Sequence, residues 1–254
     1  MSPRGLSVLS LAGLLGVIGL TFALASRSAP AAQSPNVKAS PATRSAPLVL
    51  ASLQASGHDA SPFEALAALH IENQTSRESL DIKLYDARGQ IDEAAATRLD
   101  ELLCDARSPK ERDVGHINRR TLQLLFKAAY HFGSREVQIV SAYRKPGRRR
   151  EGPHGTGDAI DFRLLGTSAR DLAAYLREIP RTGVGIYTHP KTQYVHLDSR
   201  EHSFHWLDAS PPRRHWREKS IGARDLLERD RRYAPEVDLP EGLRTTAATA
   251  VGAP

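Results

Sequence analysis

Several residue types and motifs are rare in this sequence or missing from it. One cysteine, Cys104, occurs among 254 residues, so no disulfide can form within the chain. Aromatic residues make up 6% of the chain and do not alternate with a block of basic residues, so nucleic-acid binding is not favoured. The helical metal motif H-E-x-x-H is absent as well. The sequence therefore lacks a disulfide framework, a typical nucleic-acid surface and a metal site built on one helix.

The chain does contain enough apolar sequence for a core and an excess of positive charge. Hydrophobic residues make up 40% and charged residues 25%, which suits one globular domain with tails. The formal net charge of +6 suggests an anionic partner, such as nucleic acid, acidic lipid or an acidic cell-wall polymer. The densest basic run, RKPGRRR at 144–150, is interpreted as a solvated loop. Cys104 occupies an apolar helical position and is interpreted as a small buried residue.

The N-terminal segment has the pattern of an export signal. Arg4 precedes an apolar run from Leu6 to about Ala25, which ends in the cleavage-like triplet Ala23-Leu24-Ala25. The run is long enough to remain in a bilayer as an anchor, but no cysteine follows it to carry a lipid. Residues 1–25 are therefore predicted to be a signal peptide or N-terminal membrane anchor. The rest of the protein is expected in the periplasm or cell envelope.

Composition divides the remaining sequence into three parts. Residues 26–61 are dominated by Ala, Ser and Pro and are predicted to be a disordered linker. Residues 62–237 carry the periodic apolar patterns of a folded domain, and residues 238–254 are predicted to be a disordered tail. Two helices followed by strands with one inserted helix predict an α+β domain with a mostly antiparallel sheet flanked by helices. The predicted helices are 92–106, 118–133 and 167–179, and the predicted strands are 80–91 (a hairpin or first strand), 137–143, 159–165, 183–187 and 194–198.

The segment EGPHGTGDAIDF at 151–162 raises the question of a metal site. His154 lies seven residues before Asp161, with glycines that prevent a helix and allow close approach of the backbone. Asp161 lies in an apolar strand, where a carboxylate needs a partner or a metal ion. The spacing alone leaves two alternatives open, a metal site or a glycine turn that contains a histidine.

Two further segments add polar groups that favour the metal site. In YVHLD at 194–198, strand alternation places Tyr194, His196 and Asp198 on one face, and His196 is a candidate third ligand. Arg144 ends the predicted strand before the loop, where it can bind a carboxylate or polarise a carbonyl. A hydrogen-bonded surface histidine and an ordinary loop arginine remain the alternatives for these two residues.

Taken together, the motifs resemble those of a known family. VQIVSAYR at 137–144, HGTGDAID at 154–161 and GVGIYTHPKTQYVHLD at 183–198 are similar to the motifs of the LAS-type zinc peptidases. That family includes D-alanyl-D-alanine carboxypeptidases, VanX-type dipeptidases and murein endopeptidases. Its H-x-x-G-x-A-x-D element is filled at every fixed position by His154, Gly157, Ala159 and Asp161. The resemblance covers about 80–220 and is closest to the YcbK-like murein endopeptidase branch.

The resemblance implies a cofactor, a substrate and roles for named residues. It implies a Zn²⁺ ion bound by His154, Asp161 and His196, and Arg144 as the group that anchors and polarises the substrate carbonyl. The implied activity is hydrolysis of peptidoglycan cross-links or stem peptides by a metal-activated water. The implied partners are peptidoglycan peptides and no nucleic acid. The sequence does not define an oligomeric state, or choose between endopeptidase, carboxypeptidase and dipeptidase action.

The sequence departs from the wider family at the catalytic base. Tyr194 and Gln193 occupy the positions where several branches have a histidine or an acid, and neither is a good proton acceptor at neutral pH. Asp198 is expected either to take the proton or to orient His196, with His202 and His205 as further candidates. The segment between Arg144 and His154 is also shorter and more basic than is usual in this branch. The alternative function is therefore a non-catalytic, zinc-containing cell-wall-binding module on the same fold.

Overall fold

The computed structural model of the protein describes residues 61–108, 111–145, 152–212, 214, 216, 218–222 and 224–243. The predicted signal peptide or anchor, nearly all of the linker, and most of both the basic run and the tail lie outside these residues. Within the described part of the chain, no helix has the length and apolar character needed to cross a bilayer.

An eight-stranded sheet organises the described domain. Its strands are β1 (Leu69–Asn73), β2 (Ser79–Ile82), β5 (Glu136–Ser141), β6 (Ala159–Leu164), β7 (Thr182–Tyr187), β8 (Val195–Ser199), β9 (Phe204–Asp208) and β10 (Lys219–Ser220), with β3 (Asp105–Ser108) and β4 (Glu111–Asp113) forming a separate hairpin. The order across the large sheet is β10-β9-β7-β8-β6-β5-β1-β2. Five of its neighbouring pairs are antiparallel, and the β1–β5 and β7–β9 pairs are parallel. The predicted α+β class with a mostly antiparallel sheet is confirmed.

The helices begin and end at residues that the sequence marks. They are α1 (Glu93–Leu102), α2 (Arg119–Phe132), α3 (Ala169–Leu176) and α4 (Leu226–Arg231), followed by a 3₁₀ helix (Pro235–Asp238). Asp92, Asn118 and Ser168 cap the first three by accepting hydrogen bonds from backbone N–H groups of the first turn. Gly133 ends α2 in the left-handed conformation, with a φ of 65°. α1 ends earlier than predicted because residues 105–108 turn into β3.

The core lies on one face of the sheet and leaves the other face available for polar groups. On β6 and β8, Ile160, Phe162, Val195 and Leu197 are fully buried in the hydrophobic core. Helix α2 packs its apolar stripe into the same core. Asp161 and His196 alternate with these residues and therefore point to the opposite face.

Five strands were missing from the sequence prediction: β1, β3, β4, β9 and β10. β1 precedes the predicted first strand and pairs with both β2 and β5, while β9 lies within residues 203–212, which were not predicted as a strand. Both strands make parallel pairs with strands that are distant in sequence, at β5 and β7 respectively. Local patterns carry no information about such partners, because the stabilising contacts are non-local.

The C-terminal part of the described chain packs against α2. Leu239 and Leu243 are buried in the core, and Lys127 donates a hydrogen bond to the Leu239 carbonyl at 2.8 Å. Arg120 forms an ion pair with the buried Asp238, with 2.8 Å between Nε and Oδ2. The domain boundary predicted at Val237 falls inside this packing.

Candidate active site

Two neighbouring strands bring Asp161 and His196 directly opposite each other. The antiparallel register pairs Asp161 of β6 with His196 of β8, and Asp161 Oδ1 lies 2.8 Å from His196 Nδ1. Residues paired in this way on one face have neighbouring side chains. The strand alternation predicted from the sequence, with these two groups on the polar face, is therefore correct.

His154 reaches the same point from the loop before β6. Its Nδ1 lies 2.6 Å from the Ala142 carbonyl, and its Nε2 lies 3.4 Å from Asp161 Oδ1 and 3.2 Å from His196 Nδ1. One ligand atom from each of the three residues lies within 4.8 Å of the others, and all three residues are buried. The three predicted metal ligands thus form one cluster.

The neighbours of the two histidines determine which ring nitrogens carry protons. Because a carbonyl can only accept, His154 Nδ1 donates to Ala142 and leaves the lone pair of Nε2 facing the cluster. His196 Nε2 donates to the Asp198 carboxylate at 3.0 Å, which leaves Nδ1 facing Asp161. Once the two inward nitrogens carry no proton, two nitrogen lone pairs and a carboxylate oxygen converge, and such a donor set suits zinc. In the absence of an ion, a proton on His196 Nδ1 makes the hydrogen bond to Asp161.

The electrostatics of the cluster favour a positive charge at its centre. Burial alone would raise the pKa of Asp161, but hydrogen bonds from His154 and His196 outweigh it and lower that pKa. Burial alone would lower the pKa of His196, but the carboxylates of Asp161 and Asp198 outweigh it and raise that pKa to about 9. A bound cation would take the place of the proton that these carboxylates otherwise attract.

Gly157 holds the His154 loop against the start of α2. Its φ is +80°, and a Cβ at this position would lie 1.9 Å from the His116 carbonyl oxygen. The Gly157 carbonyl accepts a hydrogen bond from Asn118 N at 2.9 Å, and Thr121 donates to the next carbonyl, that of Asp158, at 2.8 Å. The glycine is required here because only a residue without a side chain fits this close approach.

The two glycines of GVGIY serve a different purpose. A Cβ at Gly183 would lie 2.1 Å from Asp198 Oδ2, and a Cβ at Gly185 would lie 2.4 Å from the Trp206 ring. β7 therefore leaves space for side chains from β8 and β9. The Trp206 ring centroid lies 5.0 Å from that of His196 and so closes one side of the cluster.

Arg144 joins the cluster from the end of β5. Its Nη2 donates to Asp161 Oδ2 at 2.8 Å and its Nε donates to Ser141 Oγ at 2.8 Å. The register between β5 and β6 shifts between Ile139 and Ser141, immediately before this residue. The Arg144 side chain is 54% exposed, so part of the guanidinium remains open to a ligand.

The three candidate bases have different surroundings. Asp198 is buried behind His196, and Arg200 Nε donates to its Oδ1 at 2.6 Å. His202 is exposed, and His205 is buried among the residues that point away from the cluster. Among the described residues that line the cleft beside the cluster, none of the three is present.

That cleft has a volume of about 620 Å³ and extends from Arg144 across the three ligands to β9. Tyr187, Tyr194, Trp206 and Asp208 line it and were not predicted as site residues. Trp206 and Asp208 lie two residues apart on β9, and Tyr194 lies two residues before His196. The alternation of Phe204, Trp206 and Asp208 in SFHWLDASPP was a signal that could have placed them on one face.

Comparison with known proteins connects this geometry to one family. The family described as peptidoglycan L,D-endopeptidase MepK matches residues 63–206, which is more than half of the chain. The peptidoglycan L,D-endopeptidase MepK of Escherichia coli strain K12 is 26% identical over 160 residues, covering 58% of this chain and 79% of the relative. The protein of the same name from Shigella flexneri matches with the same identity and coverage. No solved structure gives a significant match.

Proposed function

Because the chain belongs to the peptidoglycan L,D-endopeptidase MepK family, we propose that it is an exported, zinc-dependent peptidase that cleaves peptidoglycan cross-links. The observation that carries the proposal is the convergence of His154 Nε2, His196 Nδ1 and Asp161 Oδ1 at one end of an open cleft. These three residues would hold the ion. Zinc in such a site supplies Lewis acidity, which polarises a carbonyl group and makes water a stronger acid.

Arg144 is proposed to bind the substrate at the scissile bond. Its contact with Asp161 fixes the guanidinium beside the metal ligands, while its exposed part faces the cleft. A guanidinium in this position donates to a carbonyl or carboxylate oxygen and stabilises negative charge that develops there.

Asp198 is proposed to position His196. Its carboxylate accepts a hydrogen bond from His196 Nε2–H, which keeps His196 Nδ1 available as a ligand. Arg200 donates to the same carboxylate and holds it in place. Its burial and its contact with Arg200 favour this role over proton transfer with a substrate in the cleft, because a general base must reach the proton that it removes.

The second candidate function is a wall-binding module that holds zinc without cutting. The observation that favours it is that Asp198, His202 and His205 do not line the described part of the cleft. Stoichiometric zinc without turnover of any cross-linked muropeptide would select this alternative.

Export and location are parts of the same proposal. The N-terminal apolar run and the net charge of +6 support a protein that works in the periplasm or cell envelope, near an anionic wall. Cleavage of the signal and retention of the segment as an anchor both agree with that location.

The test is mass spectrometry of muropeptide digests made by the wild type, with and without chelator, and by His154→Ala. We expect cross-linked dimers to be cleaved only by the wild type without chelator, and neither by the wild type with chelator nor by His154→Ala. His70→Ala is the matched control, because His70 lies on β1, pairs with Asp81 and is outside the cleft. Unchanged cleavage by His154→Ala and in chelator would refute the proposal.

A further inference from the structure

A second cavity lies beside the cleft and shares two side chains with it. It has a volume of about 420 Å³, and Tyr187 and Tyr194 line both spaces. The two tyrosine rings stack with centroids 4.2 Å apart and planes inclined by 21°. The stacked pair therefore lies between the cleft and the second cavity and forms part of the wall of both.

The wall between the two spaces is preformed. Arg163 lies two residues after Asp161 on the same face of β6, and its Nε donates to the Gln193 carbonyl at 3.0 Å. The same guanidinium donates to the Thr192 carbonyl, and to Gln74 Oε1 at 2.9 Å. Gln193 has a φ of 40°, a conformation that a residue other than glycine seldom adopts. These contacts fix the segment that leads into Tyr194, so the cavity does not depend on a loop that closes later.

The charges that line the second cavity have one sign. Arg163 and Arg170 contribute to its surface, and no Asp or Glu does so among the described residues. Thr167, the N-cap residue Ser168 and the first two residues of α3, Ala169 and Arg170, also line it, so the positive end of that helix faces the same space. Asp171 takes part in the helix cap through Ser168 but does not line the cavity. The main cleft, in contrast, contains both Asp208 and Glu218.

The remaining lining combines apolar side chains with uncharged polar ones, among them Gln138, Thr188 and Gln193. Phe162, Leu164, Leu172 and Ile186 line the cavity, and Leu165, which is 55% exposed, contributes its apolar side chain to the surface. The volume lies within the range of about 300–1,000 Å³ that is usual for small-ligand sites. A partly apolar surface with arginines at its edge suits a group that has both an aliphatic stem and a carboxylate.

We propose that this cavity is a subsite for the carboxylate-bearing arm of a cross-linked wall peptide. A cross-linked substrate has two peptide arms that leave the scissile bond. The arm that supplies the scissile carbonyl has its terminal carboxyl group in the cross-link, whereas the other arm keeps a free terminal carboxylate. The inference rests on the proposed function for the identity of the substrate. One arm lies in the main cleft, and the second crosses the Tyr187–Tyr194 pair and meets Arg170 and the start of α3.

The test uses the full chain and a purified L,D-cross-linked muropeptide dimer, with the same dimer amidated at its carboxylates as a second probe. Binding is measured by calorimetry in the presence of chelator, and kcat and KM are measured with zinc. Arg170→Glu is expected to weaken binding of the unmodified dimer and raise KM by about fivefold, with kcat unchanged. Leu165→Glu, a second exposed substitution at the cavity, is expected to act in the same direction.

Arg98→Glu is the matched control, because it makes the same charge change at an exposed position on α1, outside both cavities. The proposal requires that Arg98→Glu binds the unmodified dimer as well as the wild type does. It also requires that Arg170→Glu and the wild type bind the amidated dimer equally. Equal affinity of wild type and Arg170→Glu, an equal loss in Arg98→Glu, or no binding to the wild type would overturn it. Binding that depends on Arg170 without any cleavage would instead refute the proposed function. Normal cleavage without an Arg170 effect would refute only the subsite.

Discussion

In both His154 and His196, a hydrogen bond at one ring nitrogen fixes the orientation of the ring and so directs the second nitrogen towards Asp161. A backbone carbonyl holds the proton of His154, and a buried carboxylate holds that of His196, so both free nitrogens face Asp161. The sequence motif identifies the ligands but not this arrangement, because the Ala142 carbonyl and the Arg200 guanidinium are set by the backbone and by packing. The positioning role proposed for Asp198 is supported by its place behind His196 and can be measured separately from catalysis.

Asp198→Asn is expected to lower zinc affinity by about 10- to 100-fold, because an amide holds the His196 tautomer less well than a carboxylate. Competition with a chromophoric chelator measures the affinity. Asp81→Asn is the control, since Asp81 pairs with His70 on the far strands of the sheet. Unchanged zinc affinity together with loss of turnover would identify Asp198 as a proton acceptor instead.

Gly157→Ala is expected to destabilise the domain by at least about 1–2 kcal/mol, because alanine at positive φ is strained and its Cβ would meet the His116 carbonyl. Gly152→Ala is the matched control, because a Cβ there has no neighbour within 4 Å. Urea denaturation of the two variants gives the comparison. Equal unfolding midpoints would show that the His154 loop does not depend on this contact.

Secondary-structure elements differ in how far the sequence determines them. β6 and β8 were predicted with the correct faces because apolar and polar residues alternate in AIDF and YVHLD, and capping residues gave the starts of α1, α2 and α3. β9 was missed although it supplies Trp206 to the cleft, because its neighbour β7 pairs with it in parallel and β8 lies between the two in sequence. The cluster of proposed ligands could therefore be predicted from the sequence, whereas the cleft wall was missed although the alternation in β9 was a signal for part of it.

His205 on β9 gives that strand a pH-dependent contribution to stability. Burial, followed by the nearby charges of Arg177 and Arg229, lowers its pKa from 6.5 to about 4, while Asp230 opposes and Arg200 reinforces the shift. Among the described residues, neither ring nitrogen has a hydrogen-bond partner. Because the unfolded chain takes up the proton more readily, the stability from this residue is present above pH 6.5 and lost as pH falls towards 4.

Replacement of His205 by Phe removes this titration. The wild type is expected to lose stability relative to His205→Phe between pH 6.5 and 4, with a limiting slope of about 1.4 kcal/mol per pH unit for one proton. Urea denaturation at a series of pH values measures the difference. A difference in stability that stays constant over this range would show that His205 does not titrate on unfolding.

At the scale of the whole molecule, the C-terminal segment connects parts of the chain that are far apart. Arg120 pairs with Asp238 and also donates to the carbonyls of Pro180 and Arg181 at 2.8 and 2.5 Å. Tyr233 adds a hydrogen bond to Asp238 at 2.6 Å. The composition of residues 238–254 predicted disorder, yet a few apolar and charged side chains are sufficient to order the first of them.

Truncation after Val237 is expected to lower the free energy of unfolding by about 3–5 kcal/mol. It removes Asp238, which leaves the part-buried guanidinium of Arg120 without its carboxylate, and it removes the buried Leu239 and Leu243. Truncation after Leu243 keeps these contacts and is the control. Thermal and urea unfolding of the two truncated proteins measure the effect. Equal midpoints would place the domain boundary at Val237.

The order of strands in the sheet also has a consequence for how the chain would acquire the proposed zinc ion. Asp161 and His196 are neighbours in space, but α3 and β7 lie between them in sequence, and β8 inserts between β6 and β7. A chain that has formed only the β5–β6 region offers two ligands, and the third arrives when β8 enters. Strand pairing of this non-local kind is slow to form. If the proposed ion binds here, we expect full affinity for it only late in folding, and uptake of zinc by a refolding chain would report when the sheet is complete.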